Sequence, residues 1–246
     1  MLDTRHFALY VAIVIYGQTC SVVELRQYTL VPGTRQDFIE LFEREFVETQ
    51  HAAKIRLLGT FADTQDSDRF VWMRGFPDMP ARRTALSDFY TSAAWLEHRN
   101  RANSMIVDSD DVRLLRPPAG YPGLEERTAA GPAVSNTERS SSTISIIVQE
   151  IEDGADAASA RAVPPPVLES DPRLLAVLET EPATNTFPQL PVIDNERVLV
   201  AVVGRYDHPI HDSAAMMAQL LQSTGHRGVG APRALVLWPT SRSAIF

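Results

Sequence analysis

The sequence predicts an α+β fold in which two ferredoxin-like βαββαβ units follow each other in tandem, the second of them degenerate. Three observations support this prediction. The apolar period changes between two and about 3.6 residues in the order βαββαβ over residues 22–116. A stretch rich in Pro, Gly, Ala and Ser follows, and the rest of the chain repeats part of the same pattern. We therefore expect two similar units joined by a linker.

The first unit begins with a strand and a helix. Residues 22–30 alternate between apolar and polar side chains, which is typical of a strand. Pro32 and Gly33 mark a turn, and Thr34 with Asp37 forms a capping box that opens a helix. The apolar face of this helix carries Phe38, Leu41, Phe42 and Phe46.

A hairpin and a second helix come next. Residues 55–61 and 70–76 favour two strands, which are joined by a polar turn over residues 63–68. Asp78 and Pro80 then indicate the start of a helix, since a capping carboxylate and an early proline both suit a first turn.

The second helix is interrupted before the unit ends. It pauses at Thr91 and Ser92 and resumes over residues 95–99. Residues 112–116 form the last strand, which completes the βαββαβ order.

The second unit is predicted from weaker signals. Strands are predicted over residues 143–150, 174–178, 198–206 and 234–238. Residues 216–221 favour a helix. The first helix of this unit, over residues 156–163, is expected to be short or replaced, because it runs into three consecutive prolines.

These signals divide the chain into four parts. The parts are an N-terminal extension (residues 1–20), the first unit (21–117), a linker (118–142) and the degenerate second unit (143–246). The extension contains an apolar run, residues 7–16, that is shorter than the ~20 residues needed to span a bilayer. An added strand, a mis-set translation start and a signal peptide all stay open for it.

Charge and cysteine content exclude several functions. The net charge is -8 and the pI is about 5.3, so binding to nucleic acid or to an anionic membrane surface lacks the positive field it requires. Cys20 is the only cysteine, which excludes an intrachain disulfide and favours a cytoplasmic location. Lys54 is the only lysine among 23 basic residues, and this arginine bias indicates a bacterial origin.

The sequence shows no cofactor or metal motif. It contains no glycine-rich phosphate loop, nucleophile elbow or H-E-x-x-H segment. His208, His211 and Asp212 have a metal-like spacing, yet no further ligand of the right type follows at a usual distance. We expect neither a cofactor nor a metal.

Alternation along two neighbouring strands predicts a ligand site. One apolar set is expected to face the helices, and its members are Val23, Leu25, Val71 and Met73. The charged and aromatic set is expected to face the interior between two packed sheets, and its members are Glu24, Arg26, Tyr28, Trp72 and Arg74. A cavity lined by the second set would hold a small anionic, partly apolar molecule. The alternative is a buried ion-pair network that fixes the packing of the sheets and binds no ligand.

His98 is the candidate catalytic residue. It lies one turn from Trp95, and Asn103 lies further along the same helix, so all three side chains could reach one opening. We expect proton transfer by His98 and ligand contacts from Trp95 and Asn103. A histidine on the helix surface with no chemical role is the alternative.

Several of these segments resemble the NIPSNAP family of the dimeric α/β barrel superfamily. The matching segments are residues 23–28 (V-E-L-R-Q-Y), residues 69–78 (R-F-V-W-M-R-G-F-P-D), Phe89, Trp95, His98 and residues 114–117. The resemblance implies that the two units pack their sheets together as a barrel. The chain would then be either a monomer with an internal pseudo-dimer or a homodimer.

The resemblance implies no settled activity, and whether the protein is an enzyme stays open. We expect a NIPSNAP family protein that binds a small anionic or aromatic molecule in an α/β barrel. One alternative is a non-catalytic interaction or assembly protein whose barrel is only a packed core. Another, by analogy of fold, is a cofactor-independent monooxygenase or isomerase.

Overall fold

The computed structural model describes residues 20–119, 121, 124, 143–152, 174–206 and 213–245. Within these residues, eight strands close into one antiparallel barrel. The strands are β1 (Val22–Leu30), β2 (Arg56–Asp63), β3 (Arg69–Phe76), β4 (Ile106–Arg116), β5 (Thr143–Ile151), β6 (Leu174–Thr180), β7 (Val198–Tyr206) and β8 (Gly228–Pro239). Their order around the barrel is β1-β3-β2-β8-β5-β7-β6-β4.

Helices cover the outside of the barrel. Helix α1 (Arg35–Leu41) continues through a π-helical turn (Phe42–Phe46) into α2 (Val47–Ala52). The remaining described helices are α3 (Met79–Tyr90), α4 (Ala93–Ser104) and α5 (Ser213–Thr224). None of the helices in the described part of the chain is long and apolar enough to cross a membrane.

The two groups of four strands have the same internal order. In the first group, β1 lies between β4 and β3, and β2 follows β3. In the second group, β5 lies between β8 and β7, and β6 follows β7. The groups meet at two short seams, where β2 and β8 share three residue pairs and β4 and β6 share two.

The barrel interior is an apolar core built by all eight strands. Val23 and Leu25 of β1 and Met73 of β3 pack there with residues of the second group, such as Val200 and Leu237. These side chains are nearly inaccessible to solvent. Because the apolar sets of both halves meet inside one closed sheet, the interior is filled by side chains.

The outer face of the first four strands packs against helices α1 to α4. Tyr28 and Trp72 belong to this layer, together with helix residues such as Phe38, Leu86 and Phe89. A smaller layer joins the outer face of the second group to α5.

This layering corrects the face assignment made from the sequence. Val23, Leu25, Val71 and Met73 point into the barrel, whereas Glu24, Arg26, Tyr28, Trp72 and Arg74 lie on the helix side. Alternation correctly separates the two sets but does not say which set faces inward. The apolar set goes inside because the opposing half also presents an apolar face, whereas helix α3 supplies a polar partner for the charged set, described below.

Local signals account for two of the helix starts in the described residues. Asp78 caps α3 by accepting a hydrogen bond from the Ala81 amide at 2.6 Å, and Ser92 caps α4 through the Trp95 amide at 3.2 Å. The predicted capping box at Thr34 is wrong, because the Thr34 hydroxyl instead donates to its turn, at the Val31 carbonyl.

The main differences from the predicted elements are in length. Strand β4 begins at Ile106 rather than at 112, since it continues to pair with β1 as far as Leu30. Strand β8 begins at Gly228 rather than at 234, because its start pairs with β5. The described residues do not include the extension 1–19, most of the linker, the helix predicted over 156–163, or the trio His208, His211 and Asp212.

Candidate functional site

A buried ionic cluster lies between the barrel and α3. The Glu24 carboxylate of β1 accepts hydrogen bonds from three arginines. Arg74 Nε on β3 lies 2.7 Å from Glu24 Oε2, Arg26 Nη1 on β1 lies 2.9 Å from the same oxygen, and Arg82 Nε on α3 lies 2.6 Å from Oε1. Strand register brings the first pair together, because Glu24 stands directly opposite Arg74.

Burial makes this cluster electrostatically unusual. None of the four side chains is more than 1% exposed. One carboxylate faces three guanidinium groups, so the cluster has a formal charge of plus two in a site that excludes water. Such an excess is costly unless another anion balances it.

The pKa values follow from this arrangement. Burial alone would raise the pKa of Glu24, but Arg74, Arg26 and Arg82 together hold it well below its usual range. Burial acts to lower the pKa of Arg26, but Tyr28 and Glu24 have the opposite and larger effect, so the pKa lies above its usual value. Burial lowers the pKa of Arg82 despite Glu24, but a guanidinium starts so far above neutrality that it stays protonated.

Several donors in and beside the cluster have no partner among the described residues. Both Nη atoms of Arg74 and Nη2 of Arg82 are buried without a hydrogen bond. The indole Nε1 of Trp72 is likewise buried and unpaired. Buried polar atoms are normally satisfied, and charged donors of this type are suited to the oxygen atoms of an anion.

Trp72 connects the cluster to the aromatic layer around it. The guanidinium carbon of Arg74 lies 4.9 Å from the centre of the Trp72 ring, and that of Arg26 lies 5.5 Å from it. Tyr28 packs edge-on against Trp72 at 5.8 Å and its hydroxyl accepts a hydrogen bond from Arg26 Nε at 3.1 Å. The two arginines are therefore held in place by rings as well as by Glu24.

A cavity of about 370 Å³ lies next to this cluster, between the sheet and helices α1 to α4. Strands β1, β3 and β4 contribute Arg26, Tyr28, Trp72, Ile106 and Ser109. The helical aromatic residues that line the cavity are Phe38, Phe42, Phe46, Phe89, Tyr90 and Trp95. The volume is in the range of small-molecule sites, and Arg26 supplies a cation to a wall that is otherwise mainly aromatic.

The π-helical turn shapes one wall of the cavity. Phe42 and Phe46 stand at its two ends, and both line the cavity. Gln50 of α2 follows one turn later and also lines it. Both amide atoms of Gln50 are buried without a partner in the described structure. Single π-helical turns are frequent at functional sites, so this irregularity supports a site here.

The last wall comes from the second half of the chain. The segment between β6 and β7, residues 181–197, which we call the strap, contributes Phe187, Gln189 and Leu190. Phe187 stacks on Tyr90 with ring centres 5.8 Å apart. Asn185 accepts a hydrogen bond from Arg82 Nη1 at 2.9 Å and donates one to the Leu190 carbonyl at 2.8 Å. The strap thus closes the cavity and contacts the ionic cluster.

Five of the residues predicted to bind ligand line this cavity. They are Arg26, Tyr28, Trp72, Trp95 and Asn103. Glu24 and Arg74 do not line it but lie beside it in the ionic cluster. The site therefore forms on the helix side of the sheet and not inside the barrel.

His98 is placed away from the cavity. Its Nε2 atom lies 3.3 Å from Glu45 Oε2, its side chain is 25% exposed, and it does not line the cavity. The expectation that His98 shares one opening with Trp95 and Asn103 is wrong, because those two residues line the cavity whereas the His98 ring pairs with Glu45 instead. Proton transfer by His98 stays a prediction that this placement does not support.

Arg82, Gln50 and the strap were not among the residues predicted from the sequence. A signal for Arg82 was present, since it shares the spacing of the apolar residues Leu86 and Phe89 on α3 and is buried with them. A charged residue on an apolar helix stripe indicates a buried partner. The strap contains neither a helix nor a strand, so no periodicity could have located it.

The described residues contain no group of three or more His, Cys, Asp or Glu that could hold a metal ion. The cavity instead offers one directly lining guanidinium, two tyrosine hydroxyls and three amide side chains, from Gln50, Asn103 and Gln189. Burial raises the pKa of Tyr90, so its hydroxyl stays neutral. This arrangement can bind an anionic group and an aromatic body.

Comparisons with known proteins agree with this fold. Residues 23–120 match the NIPSNAP family model. A NIPSNAP-like domain protein from Burkholderia xenovorans is 27% identical over 42% of this chain and 90% of its own, with a TM-score of 0.39. No curated protein matches the chain significantly.

Two solved structures cover nearly the whole chain. A candidate monooxygenase from Lactobacillus acidophilus is 14% identical over 90% of this chain and 94% of its own, with a TM-score of 0.52. A second candidate monooxygenase, from Fusobacterium nucleatum, is 11% identical over 90% of this chain and 93% of its own, with a TM-score of 0.53. These likenesses show a shared α/β barrel fold and nothing about activity. Residues 23–120 are thus a NIPSNAP domain within this chain.

Proposed function

We propose that this protein binds a small anionic molecule with an aromatic or apolar body in the cavity between the barrel and helices α1 to α4. One observation carries the proposal: the cavity of about 370 Å³ combines nine aromatic side chains with Arg26, a member of a buried cluster that carries excess positive charge. Rings supply apolar contact area, and a guanidinium selects an anion.

The proposal assigns ligand contact to the residues that line the cavity. Arg26 contacts the anionic group, Tyr28, Trp72 and Trp95 form the walls, and Asn103 offers a hydrogen bond. Glu24 holds Arg26 in place, and Arg74 adds to the local positive charge.

A protein whose barrel is only a packed core, with partners bound on its helices, is the second candidate. The filled barrel interior favours this candidate, since the core leaves no role for a ligand inside the sheet. The cavity outside the sheet favours the first candidate. An enzymatic role of the monooxygenase or isomerase type rests on likeness of fold alone.

The same proposal extends to the organisation of the chain. We infer that residues 21–117 and 143–246 are tandem ferredoxin-like units, joined by a linker over 118–142 and preceded by an extension over 1–20. The matching strand orders of the two groups support this repeat. We expect the protein to be bacterial and cytoplasmic. We expect it to function as a monomer with an internal pseudo-dimer.

The test is to fill the cavity. Ala102 lines the cavity on α4 and is 2% exposed, whereas Ala93 is exposed at the start of the same helix. The probe is naphthoate, which combines one carboxylate with an aromatic body. Ala102→Phe is expected to weaken naphthoate binding by about tenfold or more, which corresponds to about 1.4 kcal/mol. Ala93→Phe is the matched control and is expected to leave it unchanged.

Calorimetric titration with naphthoate measures the effect. Equal affinity in the wild type and both variants would contradict a site in this cavity. Absence of binding to the wild type, together with native mass spectra that show no retained ligand, would favour the second candidate.

A further inference from the structure

The charge of the buried cluster specifies the ligand more closely. We infer that the ligand of the proposed cavity is a dianion, with two negative charges on closely spaced oxygens next to an aromatic body. Phosphate monoesters and neighbouring dicarboxylates share this chemistry. This inference rests on the proposed function and adds the class of the ligand to it.

The first step is the charge of the cluster. Arg26, Arg74 and Arg82 carry three positive charges, and Glu24 carries one negative charge. Among the described residues, no other carboxylate forms an ion pair with these arginines. The other described hydrogen-bond acceptors are neutral, namely the Tyr28 hydroxyl and the Asn185 amide oxygen. Two positive charges are left to be balanced.

The second step is the geometry of the unpaired donors. Arg74 uses only its Nε on Glu24, so both of its Nη atoms are buried and free of partners, and Nη2 of Arg82 is in the same state. These are charge-assisted donors on planar guanidinium groups, the type that binds phosphate and carboxylate oxygens. A neutral water could satisfy the donors but would leave the charge in place. A monoanion would leave one charge.

Two residues connect the ionic cluster to the cavity. Arg26 lines the cavity and shares the Oε2 atom of Glu24 with Arg74. Trp72 also lines the cavity, and Arg74 lies over its ring. The cluster therefore borders the cavity, and Arg26 is the cluster residue that lines it. In a site of low dielectric constant, each additional negative charge placed a few ångströms from the cluster is expected to raise affinity by about tenfold or more.

The experiment compares ligands that differ by one charge. Naphthyl phosphate and naphthyl sulfate have nearly the same shape, but at about pH 8 the phosphate ester carries two charges, because its second pKa is about 6. The sulfate ester carries one, and naphthol carries none. We expect naphthyl phosphate to bind at least about tenfold more tightly than naphthyl sulfate. A naphthalene dicarboxylate with neighbouring carboxylates tests whether the dianion is a phosphate ester or a dicarboxylate.

One variant tests whether the preference for naphthyl phosphate over naphthyl sulfate depends on the ionic cluster. Arg82→Gln removes one of the charges and is expected to lower the ratio of phosphate to sulfate affinity by about tenfold. Arg113→Gln is the matched control. Arg113 is also a largely buried arginine in ion pairs, with Asp111 and Glu196, but it lies on the other face of the sheet, opposite Leu25. Its replacement is expected to leave the ratio unchanged.

The outcomes separate this inference from the function it rests on. If naphthyl phosphate and naphthyl sulfate bind the wild type equally, the dianion inference is wrong while the cavity still binds aromatic anions. If inorganic phosphate binds as tightly as naphthyl phosphate and Ala102→Phe affects neither, the anion site is separate from the cavity and the inference is overturned. If naphthyl phosphate, naphthyl sulfate and naphthoate all fail to bind, both proposals fail. Because the wild-type comparison needs no variant, instability of Arg82→Gln does not prevent a decision.

Discussion

Asn185, in the second half of the chain, accepts a hydrogen bond at 2.9 Å from Arg82, in the first half. This contact joins the strap to the ionic cluster. Asn185 also holds the strap itself, because its amide donates to Leu190 and its oxygen accepts from the Phe187 amide at 3.0 Å. One side chain thus positions two of the three strap residues that line the cavity, Phe187 and Leu190.

Replacing Asn185 is expected to loosen the strap. Asn185→Ala removes three hydrogen bonds, one of them from a charged donor, and we expect a loss of about 1 to 3 kcal/mol in unfolding free energy. Amide hydrogen exchange over residues 185–193 should accelerate more than exchange in β1. Asn195→Ala, at an exposed position of the same strap, is the control. Unchanged exchange in Asn185→Ala would show that other contacts, such as the Phe187 stack, hold the strap.

Replacing Glu24 is expected to destabilise the fold strongly. Glu24→Gln leaves three buried guanidinium groups without an anion, at a cost of about 3 to 5 kcal/mol. Chemical denaturation at neutral pH measures it. Glu45→Gln is the control, because Glu45 forms partly exposed ion pairs with Arg44 and His98. A loss below about 1 kcal/mol would contradict a cluster that depends on this carboxylate.

The stability that Glu24 provides is expected to depend on pH in the acid range. Its pKa in the folded state lies below its value of about 4.3 in an unfolded chain. The contribution is therefore complete above the unfolded pKa and is lost as pH falls through the folded pKa. The difference in unfolding free energy between wild type and Glu24→Gln should be constant near neutrality and should shrink below about pH 4. A difference that grows on acidification would reverse this assignment.

His98 is expected to have no part in ligand binding. It pairs with Glu45 of the π-helical turn and does not line the cavity. His98→Gln should leave the affinity for naphthoate unchanged, whereas Trp95→Ala, on the same helix, should lower it by about tenfold. Calorimetric titration of both variants with naphthoate measures the two affinities. A large effect of His98→Gln alone would restore the role predicted from the sequence.

Gly59 is expected to resist substitution because of one aromatic ring. A Cβ atom at this position would lie 2.4 Å from the Cζ atom of Phe61, which fills the barrel interior. Gly59→Ala should cost about 1 to 3 kcal/mol through overpacking. A double-mutant cycle with Phe61→Leu should recover part of that loss. Strict additivity of the two substitutions would show that the ring is not the cause.

The sequence allowed the first half of the fold to be predicted because its signals are local. Alternation located β1 and β3 and put Glu24 and Arg74 in the same set of side chains, and the observed register places these two residues directly opposite each other. The orientation of the sheet could not be predicted in the same way. It depends on what the other half presents to each face, and a period of two carries no information about that.

Only those residues of the candidate site that lie on strands and helices could be predicted from the sequence. Arg26, Tyr28, Trp72, Trp95 and Asn103 were found because they lie on regular elements with a definite period. Arg82 could have been suspected from its place among apolar residues on α3. Asn185 and the strap could not, because their position depends on contacts between segments about 100 residues apart, such as the bond to Arg82.

The two seams of the barrel have a consequence for assembly. With three residue pairs at one seam and two at the other, few main-chain hydrogen bonds join the halves, whereas the apolar interior is common to both. If the two halves were produced as separate polypeptides, divided between residues 124 and 143, they would thus associate mainly through the hydrophobic effect. Because that effect weakens on cooling, such a split protein would dissociate more readily in the cold than its number of contacts suggests.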